Sequence, residues 1–407
     1  MLKKILYFSL ISASIFAFSS VSARQVSLDR SVFDRLPRDR HARVCNAPSQ
    51  NDFSVGCNAR VVTDAGGVAK AAVLPAGYGP AQLRGAYNLT SATSTQTIAI
   101  VDAYDDPNVK ADLDKYNQTF GLPFFPNCSS SITTSCFQKV DQRGGTRFPL
   151  RDAGWALEIS LDVQVAHALC PGCKLLLVES DSNSYSNLLK AVDRAVALKA
   201  NVVSMSWGSS EFPAETSNSY DGHFKAPGVV FTASSGDSGF GTSYPAASQY
   251  VTAVGGTTLA VTNNVYAGET VWSGAGSGCS LYEPQPSFQA ALGLVGCTKR
   301  MIADVSADAD PNTGAAVYDS VRYQGQSGWF KVGGTSLASP IIAATFALAS
   351  NAGSISPANG YPYAHLLDLN DVISGSNGVC SVSFLCHGAV GYDGPSGVGS
   401  PNGIGSF

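Results

Sequence analysis

Along this chain the apolar positions fall into two kinds of run that alternate with each other. Four runs are short and unbroken, at 97–101, 174–178, 201–205 and 229–233, and continuous apolar segments of that length fit strands buried on both faces of a sheet. Between them lie 108–120, 155–169 and 185–198, where apolar residues return every three or four positions, the spacing of a helix with one buried face. Strands alternating with helices predict an α/β fold with a doubly wound parallel sheet flanked by helices. Chemistry in such a fold belongs on loops and helix starts at the carboxyl ends of the strands. Before about residue 75 the pattern fails: 34–40 is dense in charge and a Gly/Ala stretch follows. We read 24–75 as an N-terminal extension or short propeptide and 76–407 as the main domain. The glycine-rich stretch 388–407 reads as a folded loop cluster, and no internal repeat is visible.

Composition narrows the class. Length alone, 407 residues, allows two average domains or one large core. Hydrophobic residues make up 44% and charged residues 14%, which speaks against a disordered chain. A net charge of −4 offers no basic footprint, so nucleic acid is not expected as a partner. Lys3 and Lys4 precede an apolar run at 5–18 and the small-residue site Val21-Ser22-Ala23, the pattern of a signal peptide over 1–23. A secreted, soluble, monomeric protein is expected, because no later run is long enough to span a membrane. Ten cysteines follow the signal, at 45, 57, 128, 136, 170, 173, 279, 297, 380 and 386. Neighbours in sequence suggest five local disulfides, although spacing does not dictate connectivity. Cys170-Pro-Gly-Cys173 also has the form of a redox pair, and no second ligand pair points to zinc. Asn88, Asn117 and Asn127 stand in glycosylation sequons, relevant only in a host that glycosylates exports.

The most specific segment is Gly333-Gly334-Thr335-Ser336-Leu337-Ala338-Ser339-Pro340, followed by an apolar helical run. Two glycines permit a tight turn, and a serine opening a helix sits among free N–H groups that favour negative charge. An N-cap serine on a buried helix has the same local form; the full run resembles the GTSxxxP nucleophile motif shared by subtilases and sedolisins. A serine hydroxyl needs a base. None of His41, His167, His223, His365 and His387 lies in a subtilase-like histidine motif, although Asp102 stands at the end of the first apolar run as a subtilase aspartate would. Glu158 and Asp162 are four apart on the helix 155–169, so they share one face about one turn apart. Two like charges so placed resist joint ionisation, and one carboxyl then holds a proton it can exchange. A solvated acidic face is the commoner meaning of such a pair, but the neighbouring positions here are mostly apolar.

With these residues the chain resembles the sedolisin, or serine-carboxyl peptidase, family. The likeness includes the ExxxD helix and Gly77-Tyr78-Gly79-Pro80-Ala81-Gln82-Leu83, which is similar to the start of that family's catalytic domain, and it extends nearly to the C-terminus. The resemblance implies a subtilisin-like sheet and an endopeptidase acting on polypeptides through an acyl-enzyme. It implies Ser336 as nucleophile, Glu158 as general base and acid, and Asp162 as its orienting partner. Asp237, in Ser234-Ser235-Gly236-Asp237-Ser238-Gly239, would donate to the oxyanion beside the Ser336 N–H, although an isolated Asp-Ser-Gly is more often a turn cap. A carboxylic acid donates only while protonated, so the expected activity optimum is acidic, about pH 3 to 5. Ser206, Trp207 and Gly208 would form the edge to which extended substrate pairs, unless Trp207 is an ordinary core aromatic. One structural Ca2+ is implied in a C-terminal calcium-binding loop cluster, held by the side chains of Asp371 and Asp393 and the carbonyls of Val372, Ala389 and Gly391. The chain departs from the family at Ala389, where glycine is common, and in its short extension, which cannot hold the family's folded prodomain. Two other readings remain at this point: a neutral-pH subtilase using Asp102 and an unrecognised histidine, and a secreted calcium-stabilised binding protein without turnover.

Overall fold

The computed structural model describes residues 30–48, 53–355 and 357–407; the signal peptide predicted at 1–23 lies outside the described residues. The four apolar runs become the strands Thr97–Ala103, Lys174–Ser180, Val202–Met205 and Val230–Ser234, with nearly every residue buried. They are parallel neighbours in one sheet, in the order Val230–Ser234, Val202–Met205, Thr97–Ala103, Lys174–Ser180, with Phe137–Asp141 outside the last. On the other flank Thr252–Thr262 runs parallel to Val230–Ser234 and pairs further out with Val305–Asp308 and with the antiparallel Val265–Val271. Register sets Ile100 opposite both Leu177 and Ser204. The carboxyl ends of the central strands therefore line up, and Asp102, Ser206 and Ser234 come to one end of the sheet.

Two helices position the chemistry. Ala153–Leu169, hereafter the acid helix, is capped by the Asp152 side chain, which accepts from the N–H groups of Gly154 and Trp155. The three-four spacing suggests a helix with one buried face, yet every residue from Gly154 to Leu169 is buried. The helix is covered by the central sheet, by the helix Thr335–Ala349 and by the strand Ala315–Tyr323, so its polar side chains have no wet face to occupy. Thr335–Ala349, the serine helix, packs on Val202–Met205, Val230–Ser234 and Val305–Asp308 as well.

The extension is not a separate body. Arg40–Arg43 and Arg60–Thr63 join Gln326–Gly333 and Ala315–Tyr323 in a four-stranded antiparallel sheet. Gly56–Cys57 joins Trp207–Ser210 and Ser243–Tyr244 in another. All five neighbouring cysteine pairs are disulfides, namely Cys45–Cys57, Cys128–Cys136, Cys170–Cys173, Cys279–Cys297 and Cys380–Cys386. Among the described residues no helix is long and apolar enough to cross a membrane. Asn88 and Asn127 are exposed, whereas Asn117 is buried in its helix.

Candidate active site

The serine helix begins at Gly334, whose φ of 95° lies in the left-handed region. A Cβ there would stand 2.1 Å from the carbonyl oxygen of Asn58 and 2.6 Å from Oδ2 of Asp237, so only glycine lets these groups close on the turn. Ser336 follows in the first helical turn and is fully buried. Its hydroxyl donates to the carbonyl of Ser206 at 3.1 Å. Pro340, four residues on, has no N–H for the Ser336 carbonyl, and that oxygen instead accepts from the Ser206 hydroxyl at 3.3 Å.

Glu158 and Asp162 project from the acid helix into the same interior and are both fully buried. The Ser206 hydroxyl, 2.9 Å from Asp162 Oδ1, links that acid to the serine turn. Neither oxygen of Glu158 has a well-formed hydrogen bond, yet the Ser336 hydroxyl is near enough to favour its ionised form. Burial pushes Glu158 well above the usual carboxylate range, and the charges of Asp162 and Asp102 push it further. Burial and then Asp102 do the same to Asp162. Asp102 itself is fully buried, without a hydrogen-bond partner for either oxygen, and pushed up to about 8 by burial. It is thus a third member of the acid cluster; its position at a strand end was legible, its company was not. None of the five histidines hydrogen-bonds to these groups. His167 lies on the acid helix, buried against Phe125 and pushed down to about 3 by burial.

Asp237 leaves the strand Val230–Ser234 through Gly236 and accepts from the N–H and hydroxyl of Thr335 at 2.8 and 2.9 Å. Burial raises it to about 6, and the guanidinium of Arg60, 3.6 Å from Oδ2, opposes the rise. Trp207 turns its side chain into the core, where the indole N–H donates to the carbonyl of Val101 at 2.8 Å. Only the backbone of Ser206, Trp207 and Gly208 forms the sheet edge, and the chain's own residues Gly56, Cys57 and Asn58 are paired with it.

The profile of the Subtilase family matches residues 153–365, just over half of the chain. The chain is 29% identical to sedolisin of Pseudomonas sp. (strain 101), over 87% of this chain and 63% of that protein. It is 31% identical to kumamolisin of Bacillus sp. (strain MN-32), over 71% of this chain and 57% of that protein. The chain belongs to the sedolisin family of subtilases. A solved structure of Pseudomonas sedolisin, a serine-carboxyl proteinase complexed with two molecules of pseudo-iodotyrostatin, superposes with a TM-score of 0.68 at 28% identity, covering 81% of this chain and 96% of that one. This sedolisin-family chain thus spans less than two thirds of the length of the two relatives.

In the C-terminal loops Asp371 Oδ2 accepts from the N–H of Gly391 at 3.0 Å and Asp393 Oδ2 from that of Ala389 at 3.0 Å. Ser396 donates twice to Asp393 Oδ1. Asp393 is fully buried and pushed up to about 8, by burial first and with a contribution from Asp371. Two carboxylates joined by one short loop, with backbone carbonyls on the same turns, are an all-oxygen donor set that fits a hard divalent cation.

Proposed function

We propose that this chain is a secreted serine-carboxyl endopeptidase that hydrolyses peptide bonds in proteins at acidic pH. The observation that carries this reading is the buried row formed by Ser336, Glu158 and Asp162, bridged by the Ser206 hydroxyl and free of histidine. Ser336 Oγ attacks the substrate carbonyl while its proton passes to Glu158, and Glu158 returns that proton to the leaving amine. Asp162 orients Glu158 and holds the second exchangeable proton of the pair. Below about pH 6 Asp237 is protonated and donates to the oxyanion together with the Ser336 N–H. Asp371, Asp393 and the carbonyls of Val372, Ala389 and Gly391 would hold one Ca2+, which supplies no reacting group and ties the C-terminal loops together. Residues 1–23 act as the signal peptide, 24–75 as an N-terminal extension or short propeptide and 76–407 as a monomeric peptidase domain.

The test is digestion of casein or haemoglobin across pH by the wild type, Ser336→Ala and Glu158→Gln. Activity is expected between about pH 3 and 5, with none in either variant. Digestion that peaks near neutrality or survives Glu158→Gln would return the chain to the histidine-type subtilases.

A further inference from the structure

Residues 55–61 lie across the nucleophile in the manner of a bound peptide. Gly56 and Cys57 pair antiparallel with Gly208 and Trp207. Asn58 then donates its N–H to the Ser206 carbonyl at 3.0 Å, and its own carbonyl accepts the N–H of Ser336 at 3.0 Å. An acceptor on the nucleophile's own amide is where a carbonyl under attack must sit. Oδ2 of Asp237, the proposed second donor, faces the same side of Gly334 as that carbonyl. Beyond it, Arg60 and Val61 pair antiparallel with Gly333 and Val332, so the segment is held extended on both sides of the serine. The Cys45–Cys57 disulfide closes over the acids, its sulfurs within 4.8 Å of a Glu158 carboxylate oxygen.

The residue carrying that carbonyl is selected as well. The Asn58 side chain is buried and donates to the Ser234 hydroxyl at 2.8 Å. It borders a mixed pocket of about 240 Å³ whose walls include Arg43, Ser209, Asp237, Phe240 and Ser243. The buried Ser234 hydroxyl matches a short side chain that hydrogen-bonds, and an apolar side chain at this position would leave that hydroxyl without its Asn58 partner.

We propose that residues 55–61 fill the substrate cleft as the enzyme's own first substrate, that Asn58–Ala59 is the bond presented to Ser336, and that the enzyme cuts proteins on the carboxyl side of asparagine. The inference rests on the peptidase reading above. Ser336 Oγ bonds to the carbonyl carbon of Asn58, its proton moving to Glu158. The bond to the Ala59 nitrogen breaks, and that nitrogen takes the proton from Glu158. Water then adds its hydroxyl to the acyl carbon and returns a proton to Ser336. Until this happens the extension blocks the cleft and keeps water from Glu158. Both Cys45 and Cys57 precede the bond, so the stapled piece leaves as a unit.

The full chain, purified at neutral pH and shifted to pH 4, is followed by intact mass and N-terminal sequencing, with Ser336→Ala and Asn58→Leu alongside. The wild type is expected to yield a new N-terminus at Ala59, Ser336→Ala to stay whole, and Asn58→Leu to be cut there about tenfold more slowly or worse. Fluorogenic peptides bearing Asn, Leu or Arg before the cleaved bond give an independent readout, with kcat/KM expected about tenfold or more higher for Asn. Casein digestion with an intact Asn58–Ala59 bond, self-cleavage elsewhere, or indifference to Asn overturns this inference and leaves the peptidase reading standing. Absence of both casein digestion and self-cleavage overturns the two together.

Discussion

Two fully buried acidic sites in this molecule are neutralised by opposite means. At the outer edge of the sheet, Asp304 lies against Arg300, with Nη1 2.7 Å from Oδ1 and both side chains fully buried. Tyr363 and the N–H of Ala253 supply further donors to the same carboxylate. In the cleft, Glu158, Asp162 and Asp102 have each other as electrostatic neighbours, and five of their six oxygens, all but Asp162 Oδ1, lack a well-formed hydrogen bond. A buried carboxyl beside a guanidinium keeps its charge; one beside other carboxyls must keep a proton. The first arrangement is a structural ion pair, whereas the second stores exchangeable protons next to a hydroxyl.

The contrast breaks most sharply at Glu158. Glu158→Gln keeps the shape and removes the exchangeable proton, and casein digestion is expected to fall by about 10³-fold or more with circular dichroism unchanged. Arg300→Met removes the guanidinium from the buried Asp304 carboxylate. Its loss of stability in urea titration is expected at about 3–5 kcal/mol, because the buried Asp304 carboxylate then lacks its partner. A loss below about 1 kcal/mol would mean that packing, not the ion pair, holds that site.

The next effect concerns pH alone. The cleft acids have folded pKa values raised above their unfolded ones, so their stabilising effect is complete below the unfolded value, near 4. It is lost as pH rises through about 6 for Asp237 and about 8 for Asp102. In the Ser336→Ala protein, which cannot digest itself, Tm is expected to fall by roughly 5 °C or more between pH 5 and pH 8. Asp102→Asn should flatten that slope. A Tm that rises with pH would show the cleft acids to be ionised and paired. The smallest expected effect is at the C-terminal acids: a calcium chelator should lower Tm by a few degrees in the wild type and leave Asp393→Asn unmoved.

The strands were legible because each is an unbroken apolar run, and strands buried on both faces need no alternation. The serine turn was legible because Gly334, Ser336 and Pro340 each meet a local backbone requirement. Glu158 and Asp162 were legible as a pair through their spacing on one helix. Asp102 was not legible as their companion, because it comes from a strand, 56 positions before Glu158 on its helix. The acid helix was expected to bury one face, since periodicity reports a helix's own pattern and not how many neighbours cover it. Trp207 shows the same limit: its place in the edge is a matter of chain position, while the direction of its indole is set by the space beneath the carbonyl of Val101.

What the amino-acid order determined by itself is therefore local: which runs become strands, where helices start, which cysteines are near enough to close, and which acids share a helical turn. Tertiary structure alone decided that Gly56, Cys57 and Asn58 enter the cleft and that Asn58 meets the N–H of Ser336, 278 positions further on. Seven residues carry too little pattern to announce such a partner. Their pairing depends on a strand edge, a glycine turn and the Ser234 hydroxyl, which come together only once distant segments have packed.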